Sequence, residues 1–342
     1  MKGSLQLLDR YPELWQASST LLILEEAAQD ALNLRSEGEL SFLPLLASSH
    51  DSLQQANAKS HFSLNPEPGY EQIIIDLPKA KGLTQMLVHL ASSLLSPQGK
   101  LMITGENKGG IKSIAKLLDA TGDQGQLCGR KLASACHSAL WLVEGWQQLK
   151  PFQLEDWWQQ VQLESGLTLW SLPGVFSQQK LDQGTACLLD ALPTLKGRVL
   201  DFGCGNGVLA YSMLKRQPEL ELTLIDDSLL ACTSATRTAE ENSLSATILC
   251  RNGLPKGLNG LDWIISNPPF HQGRGTQYDI AREFLQWAPR TLRLSGQIAV
   301  VANQFLAYEP LLEQGFLRSK ELHRDAGFKV LWAEKPKKLK NR

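Results

Sequence analysis

The chain has 342 residues, of which 43% are hydrophobic and 20% are charged, a composition typical of globular proteins with packed cores. Its length suits two domains of ordinary size better than one. The net charge is −1, so no overall positive field attracts a nucleic acid. Any such partner must be held by a local basic patch.

The six cysteines form no CxxC pair and stand singly in largely apolar stretches, which predicts reduced, mostly buried thiols in a cytoplasmic protein. The six histidines show no ligand spacing with the cysteines, so we predict no metal site. The opening residues lack a long apolar segment and a cleavage site, and we expect no signal peptide. No apolar run reaches membrane-spanning length, and we expect no membrane partner.

Both halves of the chain contain a buried strand, then a helix, then a glycine turn and another apolar strand. In the first half the strand covers residues 73–75 and the helix covers 82–95. In the second half the strand covers 263–266 and the helix covers 277–293. Strands that alternate with helices indicate a parallel sheet covered on both faces. The repeated order predicts a duplicated strand–helix–strand unit.

We therefore predict an α/β protein with two tandem doubly wound, Rossmann-like domains, residues 1–150 and residues 151–342, connected through the segment 145–165. The early strand of the first half, Leu21–Glu25, has no glycine cluster behind it. Without glycines a cofactor cannot approach the backbone closely. We interpret the first domain as a degenerate copy that is kept for structure or for binding substrate.

A glycine-rich turn follows a short apolar strand of the second half, where Asp201 precedes Gly203, Gly205 and Gly207. Glycines allow a tight turn and close approach of a ligand to the backbone. A dinucleotide fingerprint would need a glycine at position 208, which is Val208. Asp201 is placed to accept a hydrogen bond from a ligand ammonium group. The pattern favours S-adenosylmethionine over NAD as the cofactor.

Polar residues also end the next two predicted strands. Asp226 follows the strand 221–225, and a carboxylate there suits a bidentate grip on ribose hydroxyls, while Asp227 is a candidate helix cap. Asn252 follows the strand 246–250 and is placed to read an adenine edge. Each carboxylate alone is equally well explained as a loop-end cap. Their shared register with the glycine turn favours cofactor binding.

Two segments upstream of the glycine turn are candidates for a cover over the methionine end of the cofactor. We select Phe176 in the first and Gly184 in the second as cofactor-binding residues. The simpler alternative for the second segment is that Asp182 and Thr185 only cap the helix 184–192.

The tetrapeptide Asn267-Pro268-Pro269-Phe270 closes a buried strand beside the glycine turn, at the sheet edge where ligands bind in such folds. Hydrogen bonds from a planar amine to the Asn267 side-chain oxygen and the Pro268 carbonyl would aim its lone pair at a methyl donor. The prolines stiffen the backbone, and Phe270 offers a face on which a base can stack. His271 is either a proton acceptor or a simple loop contact. The motif predicts methyl transfer to nitrogen.

Stretches in both halves resemble one bacterial family, the RsmC family, which methylates guanine N2 in small-subunit ribosomal RNA. In the second half they comprise Leu167–Ser177, the glycine-rich turn, the Asn-Pro-Pro-Phe motif, Ala302-Asn303 and Phe328–Val330. In the first half they comprise Leu77–Lys79 and Gly105–Ser113.

The resemblance implies tandem methyltransferase domains, the first degenerate, and S-adenosylmethionine as the cofactor. It also implies a specific guanine of 16S ribosomal RNA in the assembled 30S subunit as the target. A sister family that modifies guanine N2 of 23S ribosomal RNA shares the architecture and the Asn-Pro-Pro-Phe-His-Gln motif. The residues alone also leave open adenine N6 or a protein glutamine as the methylated amine. A non-catalytic RNA-binding protein would be expected to have lost Asp201, the glycines of the turn or Asn267, and this chain retains all of them.

Basic residues cluster in the first half and at the tail, and we predict that they dock RNA while the second half performs the chemistry. A solvated charged surface is an equally good explanation for any single lysine. We expect a monomer. The basic residues are Lys79, Lys81, Lys108, Lys112, Lys116, Arg130, Lys131 and those of the tail 335–342.

Overall fold

The computed structural model describes residues 1–121, 126–176, 181–268 and 275–337, with the backbone alone for 275–280. The chain divides into two compact units, Met1–Trp158 and Gln159–Arg342. Within the described ranges, no helix is both long enough and apolar enough to cross a membrane.

The boundary between the units lies after Trp158 rather than after residue 150, within the segment expected to connect the halves. The intervening residues pack on the first unit. The Phe152 N–H donates to Ser93 Oγ at 2.7 Å, and the Trp157 ring lies 5.2 Å from the His89 ring in an edge-to-face contact. These contacts attach residues 152–157 to the first unit.

The first unit contains one six-stranded sheet with the order β2-β1-β3-β4-β6-β5. Strands β1 to β4 run parallel, and β6 and β5 add an antiparallel hairpin at one edge. The elements are α1 (Gly3–Arg10), β1 (Ser19–Leu24), α2 (Ala28–Ala31), β2 (Glu39–Pro44), α3 (Ala47–Gln55), β3 (Tyr70–Asp76), α4 (Lys81–Leu94), β4 (Leu95–Glu106), α5 (Ile114–Asp119), β5 (Cys128–Ala135) and β6 (Ser138–Glu144).

The second unit contains a seven-stranded sheet with the order β11-β10-β9-β12-β13-β15-β14 and a separate hairpin, β7-β8. The strands from β11 to β13 run parallel, and β15 and β14 are antiparallel. The elements are β7 (Gln159–Gln162), β8 (Thr168–Ser171), α6 (Gln183–Ala191), β9 (Arg198–Phe202), α7 (Val208–Arg216), β10 (Glu221–Asp226), α8 (Leu229–Glu241), β11 (Thr247–Cys250), β12 (Leu261–Ser266), α9 (Gly275–Thr291), β13 (Leu292–Asn303), α10 (Glu309–Gly315), β14 (Phe316–Asp325) and β15 (Phe328–Pro336).

The two sheets have the same strand order apart from one edge, which confirms the predicted duplication. Strands β2, β1, β3, β4, β6 and β5 correspond to β10, β9, β12, β13, β15 and β14. The first unit has no strand that corresponds to β11 among its described strands. A single parallel bridge between Phe42 and Ser60 stands at that edge instead.

Both faces of the second sheet are covered, because consecutive residues of a strand point to opposite faces. Ile265 of β12 packs into one apolar cluster, and Ile264 packs into another. Helices α6, α7 and α8 contribute to the first cluster, and α9 and α10 contribute to the second. The predicted doubly wound α/β fold is therefore confirmed for this unit.

The first sheet is covered in the same way. Ile73, Ile74 and Ile75 of β3 are all fully buried, although neighbouring side chains of a strand point to opposite faces. Helix α4 shows the apolar spacing of three and four residues that a helix needs to cover a sheet. Its buried apolar residues are Leu83, Met86, Leu87, Val88, Leu90, Ala91 and Leu94.

Candidate active site

The candidate site lies at the carboxyl ends of three neighbouring parallel strands, β10, β9 and β12. Ser266 at the end of β12 donates from Oγ to the backbone carbonyl of Phe202 at 2.6 Å. Phe202 is the last residue before the glycine turn, and Asn267 directly follows Ser266. The structure thus places the two motifs side by side, as the sequence predicts for this edge of an open α/β sheet.

Three glycines shape the turn between β9 and α7. Gly203, Gly205 and Gly207 have φ angles of +72°, +57° and +82°, in the region that favours glycine. A Cβ on Gly203 or Gly205 would meet no described atom within 4 Å, so both border open space. A Cβ on Gly207 would lie 2.2 Å from the ring of Tyr211. Packing explains Gly207, whereas Gly203 and Gly205 form an open floor that a ligand can approach.

The carboxylate of Asp226 is held by two backbone N–H groups. Gly205 donates to Oδ2 and Ser228 donates to Oδ1, each at 2.9 Å. Burial raises the pKa of Asp226, and these two hydrogen bonds oppose the increase. Each oxygen retains a lone pair, so the carboxylate can still accept two hydroxyl groups. The geometry fits the predicted grip on ribose hydroxyls, and this role stays a prediction.

Asp201 is 1% exposed, and its Oδ2 accepts a hydrogen bond from the Ala210 N–H at 3.1 Å. Burial raises the pKa of Asp201 to about 7; the Ala210 hydrogen bond opposes this increase, and the charge of Asp226 adds to it. The side chain therefore attaches the first turns of α7 to the end of β9. Sequence reasoning missed this contact. The predicted contact of Asp201 with a ligand ammonium group stays a prediction.

Asn206 anchors the glycine turn to the β7-β8 hairpin. Its Nδ2 donates to Ser171 Oγ at 2.9 Å, and its Oδ1 accepts from the Val208 N–H at 3.2 Å. Both Asn206 and Ser171 are almost fully buried, at 2% and 1% exposed. Because these polar groups satisfy each other, the turn has a defined position relative to β8.

Polar side chains along α8 hold β8 in place. Thr238 exchanges hydrogen bonds with the backbone of Trp170, at 3.0 and 3.3 Å, and Ser234 accepts from the Leu172 N–H at 3.0 Å. Asn242 binds the N–H and carbonyl of Thr168 at 3.0 and 2.7 Å. Four helical residues and two strand residues advance by about the same distance, roughly 6 Å, so the partners stay in register. Sequence reasoning missed these residues, although their four-residue spacing was a signal.

Phe176 and Asn252 are both exposed. Phe176 is 57% exposed, one residue beyond the buried Val175. Asn252 is exposed and lies two residues beyond β11. The neighbouring Arg251 N–H donates to the Asp226 carbonyl at 2.8 Å, which places Asn252 beside the end of β10. Their predicted contacts with the cofactor stay predictions.

The start of α6 lies beside Asn267. Asp182 caps this helix, because its Oδ2 accepts from the Thr185 N–H at 3.0 Å. A Cβ on Gly184 would lie 3.0 Å from Asp182 Oδ2 and 3.1 Å from the ring of Phe328. Close packing therefore explains the glycine at position 184, and its predicted contact with the cofactor stays a prediction.

The side-chain amide of Asn267 has a defined orientation. Its Nδ2 donates to Asp182 Oδ2 at 3.0 Å and to Thr185 Oγ1 at 2.9 Å. The amide oxygen is consequently turned away from these two acceptors. The next residue, Pro268, is buried. The predicted catalytic residue Phe270 and the neighbouring His271 lie outside the described residues.

These residues fit S-adenosylmethionine. The open floor at Gly203 and Gly205 leaves room for a ligand against the backbone, and Asp226 has acceptor capacity for ribose hydroxyls. The oriented Asn267 amide lies at the same sheet edge. The fold and the site together define an S-adenosylmethionine-dependent methyltransferase.

Comparisons with known proteins narrow this class to a family. The family model "Methyltransferase small domain" matches residues 166–332, and the model "Methyltransferase small domain N-terminal" matches residues 5–161. A relative from Shewanella piezotolerans, ribosomal RNA small subunit methyltransferase C, is 37% identical over 91% of this chain and 92% of its own length. The enzyme of the same name from Shewanella oneidensis is 42% identical over 72% of each chain. The chain belongs to the ribosomal RNA small subunit methyltransferase C family.

A solved structure agrees with this assignment. The T. thermophilus 16S rRNA N2 G1207 methyltransferase RsmC, in complex with AdoMet and guanosine, superposes with a TM-score of 0.80. It is 26% identical to this chain, and the match covers 93% of this chain and 88% of that one. The predicted family and the tandem methyltransferase architecture are therefore confirmed.

Proposed function

We propose that this protein transfers a methyl group from S-adenosylmethionine to the exocyclic N2 of a guanine in 16S ribosomal RNA. The nucleotide would correspond to the G1207 named for the T. thermophilus relative. The observation that carries the proposal is the Asn267 amide, held in one orientation beside the open glycine turn within a chain of this family.

The Asn267 oxygen and the Pro268 carbonyl are suited to the amine of a planar base. When bound, S-adenosylmethionine supplies a methyl group attached to a positively charged sulfur. The sulfur is the leaving group and keeps the carbon–sulfur electron pair as the amine nitrogen bonds to the methyl carbon. The amine is a weak nucleophile because its lone pair is delocalised into the ring. Two acceptors fixed by the protein hold its N–H groups and orient that lone pair, which reduces the entropic part of the barrier. The proton can leave to solvent after the N–C bond forms.

Basic side chains of the first unit support RNA as the substrate. Lys108 and Lys112 lie in 3-10 turns after β4, and Lys116 lies on α5. All three are exposed, as are Arg130 and Lys131 on the edge strand β5. Such charges bind phosphates without reading sequence, so they would dock the RNA and leave the choice of base to the second unit. Tail residues 338–342 lie outside the described residues.

The assembled 30S subunit is the substrate that we propose, and the enzyme would act as a monomer in the cytoplasm. A large, folded RNA surface gives the exposed lysines of a non-catalytic unit a role that a free nucleoside would not. Salt dependence provides a measure of this docking, because replacing one phosphate-binding lysine reduces the slope of affinity against salt by about one.

One labelling experiment tests the proposal. The protein is incubated with methyl-labelled S-adenosylmethionine and, separately, with 30S subunits, 50S subunits and protein-free 16S RNA, and the labelled nucleotide is mapped by mass spectrometry. We expect N2-methylguanine at a single site of 16S RNA in 30S subunits. The Asn267→Ala variant serves as the control and should show no label. Label in 23S RNA, on adenine or on protein glutamine would contradict the proposed target, and label only in free 16S RNA would contradict the assembled subunit.

A further inference from the structure

The two acceptors of the Asn267 amide belong to α6, far from Asn267 in sequence. Asp182 Oδ2 and Thr185 Oγ1 lie 3.0 and 2.9 Å from Nδ2, so each amide hydrogen has its own acceptor. Thr185 is 3% exposed, which keeps water from competing for its hydroxyl group. The nitrogen side of the amide is therefore fully used by the protein.

The carboxylate decides which way the amide faces. A carboxylate oxygen only accepts hydrogen bonds, whereas a hydroxyl group can accept or donate. If the Asn267 amide were rotated by half a turn, its oxygen would face the negatively charged Asp182 oxygen. That arrangement replaces an attraction with a repulsion. Asp182 thus selects the orientation in which Asn267 Oδ1 points away from α6, toward the sheet edge where a substrate amine would lie.

Both acceptors are themselves held rigidly. Asp182 Oδ2 also accepts from the Thr185 N–H at 3.0 Å, as the cap of α6. Gly184 lets the ring of Phe328 pack close to this turn, because a Cβ there would lie 3.1 Å from that ring. The start of α6 is therefore fixed between Phe328 and Asn267, so the amide is oriented before any substrate arrives.

We propose that Asp182 and Thr185 are positioning residues for methyl transfer, which act through the Asn267 amide. The inference rests on the proposed function, since it assigns these residues to the acceptor of the substrate amine. As the N–C bond forms, positive charge appears on the amine nitrogen and its N–H groups become stronger donors. The negative charge of Asp182 behind the amide makes Asn267 Oδ1 a better acceptor for them. Capping of α6 alone would not require hydrogen bonds from the Asn267 amide to Asp182 and Thr185.

Four variants separate positioning from a purely structural role. Thr185→Val removes the hydroxyl acceptor with little change in shape, and Thr185→Ser restores it. Asp182→Ser keeps a good helix cap but is too short to reach Asn267. Thr291→Val is the matched control, because Thr291 is, like Thr185, a buried threonine with a hydrogen-bonded hydroxyl group, which here donates to the Ala288 carbonyl at 2.9 Å.

The readouts are kcat and KM on 30S subunits, cofactor affinity by calorimetry, and thermal stability. We expect Thr185→Val and Asp182→Ser each to lower kcat by about 10- to 100-fold, the size of loss expected when a reacting group is misplaced. Cofactor affinity and KM should change by less than about threefold. Thr185→Ser should recover most of the lost kcat, and Thr291→Val should retain wild-type kcat.

A spectroscopic readout does not depend on turnover. Selective ¹⁵N labelling of asparagine amides gives a side-chain resonance for Asn267, assigned by its loss in Asn267→Ala. Thr185→Val should shift this resonance and speed the exchange of its amide protons, whereas Thr291→Val should leave both unchanged.

The failures of the two proposals can be told apart. If the wild type labels no 16S RNA, or if Asn267→Ala retains full activity, the proposed function is wrong. If Asn267→Ala is inactive while Thr185→Val and Asp182→Ser keep wild-type kcat and an unshifted Asn267 resonance, the positioning role is wrong and the proposed function stands. Equal losses in kcat for Thr185→Val and Thr185→Ser would also overturn it, since that would indicate a packing effect.

Discussion

The carboxyl edges of the two sheets carry different residues at corresponding positions. When β3 and β12 are aligned on Pro78 and Pro268, the residue before each proline is Leu77 in the first unit and Asn267 in the second. The same alignment matches Ile75 with Ile265. Ile23 lies beside Ile75 and Asp201 lies beside Ile265, so Ile23 is the counterpart of Asp201. Apolar side chains, Ile23 and Leu77, thus stand in the first unit where the second unit has the Asp201 carboxylate and the Asn267 amide.

The neighbouring strands also carry different residues at corresponding positions. Glu25 is the counterpart of Gly203, because each lies two residues after the aligned Ile23 and Asp201. Leu45 is the counterpart of Asp226, because β1 pairs with β2 in the same register as β9 pairs with β10. Leu45 is 1% exposed, so the position has been absorbed into the core. The sheet itself is unchanged, since strand order depends on buried apolar residues that both units retain. A methyltransferase fold can therefore lose its site without losing its architecture.

The beginning of the chain occupies the corresponding edge of the first unit. Lys2 Nζ lies 2.7 Å from Asp76 Oδ2, with the two side chains 23% and 1% exposed. The Lys2 N–H donates to Asp30 at 2.6 Å, and the Gly3 N–H donates to Glu106 at 3.1 Å. Residues 2 and 3 thus contact three carboxylates of the first unit, whereas the described residues of the second unit leave the space beside Gly203 and Gly205 open. The first unit is stabilised as a closed domain.

Making the second unit resemble the first should have the largest effect. Asn267→Leu, which copies Leu77, removes the proposed acceptor for the amine and should lower methylation of 30S subunits by more than about 1,000-fold, roughly 4 kcal/mol of transition-state stabilisation. Cofactor binding by calorimetry should persist. The reciprocal Leu77→Asn is the control and should retain wild-type methylation. Turnover of Asn267→Leu at the wild-type rate would refute the proposed role of Asn267 as the acceptor of the amine.

Opening the closed edge of the first unit should cost stability. Lys2→Met leaves Asp76 buried without its cation and should reduce the free energy of unfolding by about 2–4 kcal/mol at pH 8. Burial raises the pKa of Asp76, and Lys2 opposes that increase, so removing Lys2 raises the pKa further. The folded state then binds a proton more readily than the unfolded state, and the loss should shrink as pH falls toward 5.

Denaturant unfolding at the two pH values measures this effect. The double variant Lys2→Met/Asp76→Asn should recover most of the stability at pH 8, because no unpaired charge remains. A loss that is the same at pH 5 and pH 8 would instead indicate that packing of the lysine stem matters more than its charge.

Removing the predicted ribose contact should weaken binding of the cofactor without affecting the fold of the sheet. Asp226→Ala is expected to reduce affinity for S-adenosylmethionine by about 10- to 100-fold, since a charged hydrogen-bond acceptor is lost together with the anchor of the Gly205 N–H. Calorimetry measures this change. Asp227→Asn is the neighbouring control and should bind the cofactor within about threefold of wild type. Unchanged affinity in Asp226→Ala would remove Asp226 from the ribose role.

The smallest expected effect concerns the buried carboxyl group that Ile23 replaces in the first unit. The pKa of Asp201 is raised to about 7 in the folded state, so stability falls as pH rises from about 4 to 7 and the group loses its proton. Asp201→Asn removes that penalty while an oxygen still accepts from Ala210. The cofactor-free protein should gain about 1–2 kcal/mol at pH 8 and little at pH 5.

Unfolding of Asp201→Asn at both pH values checks this expectation, and calorimetry should show weaker cofactor binding if Asp201 accepts from the ligand ammonium. An equal stability change at pH 5 and pH 8 would show that Asp201 does not titrate in this range.

Features that depend on local patterns were predictable. The apolar run before Asn267 and the glycines after Asp201 identify a strand, a turn and a helix, because burial and positive φ angles leave a signature within a few residues. The duplicated order of strands and helices has the same local origin. These patterns also place both motifs at one edge of a parallel sheet, since the carboxyl ends of parallel strands meet there.

Contacts between residues far apart in the chain left no such signature. Asn267 meets Asp182 across 85 residues, Trp170 meets Thr238 across 68, and Lys2 meets Asp76 across 74. Asp182, Thr238 and Lys2 are ordinary capping or surface residues when the sequence is read locally. The amino-acid sequence therefore specifies the fold class, the cofactor turn and the amine motif through short-range hydrophobic and glycine patterns. The orientation of the amide and the closure of the first unit arise from hydrogen bonds and ion pairs that exist only once the chain has folded.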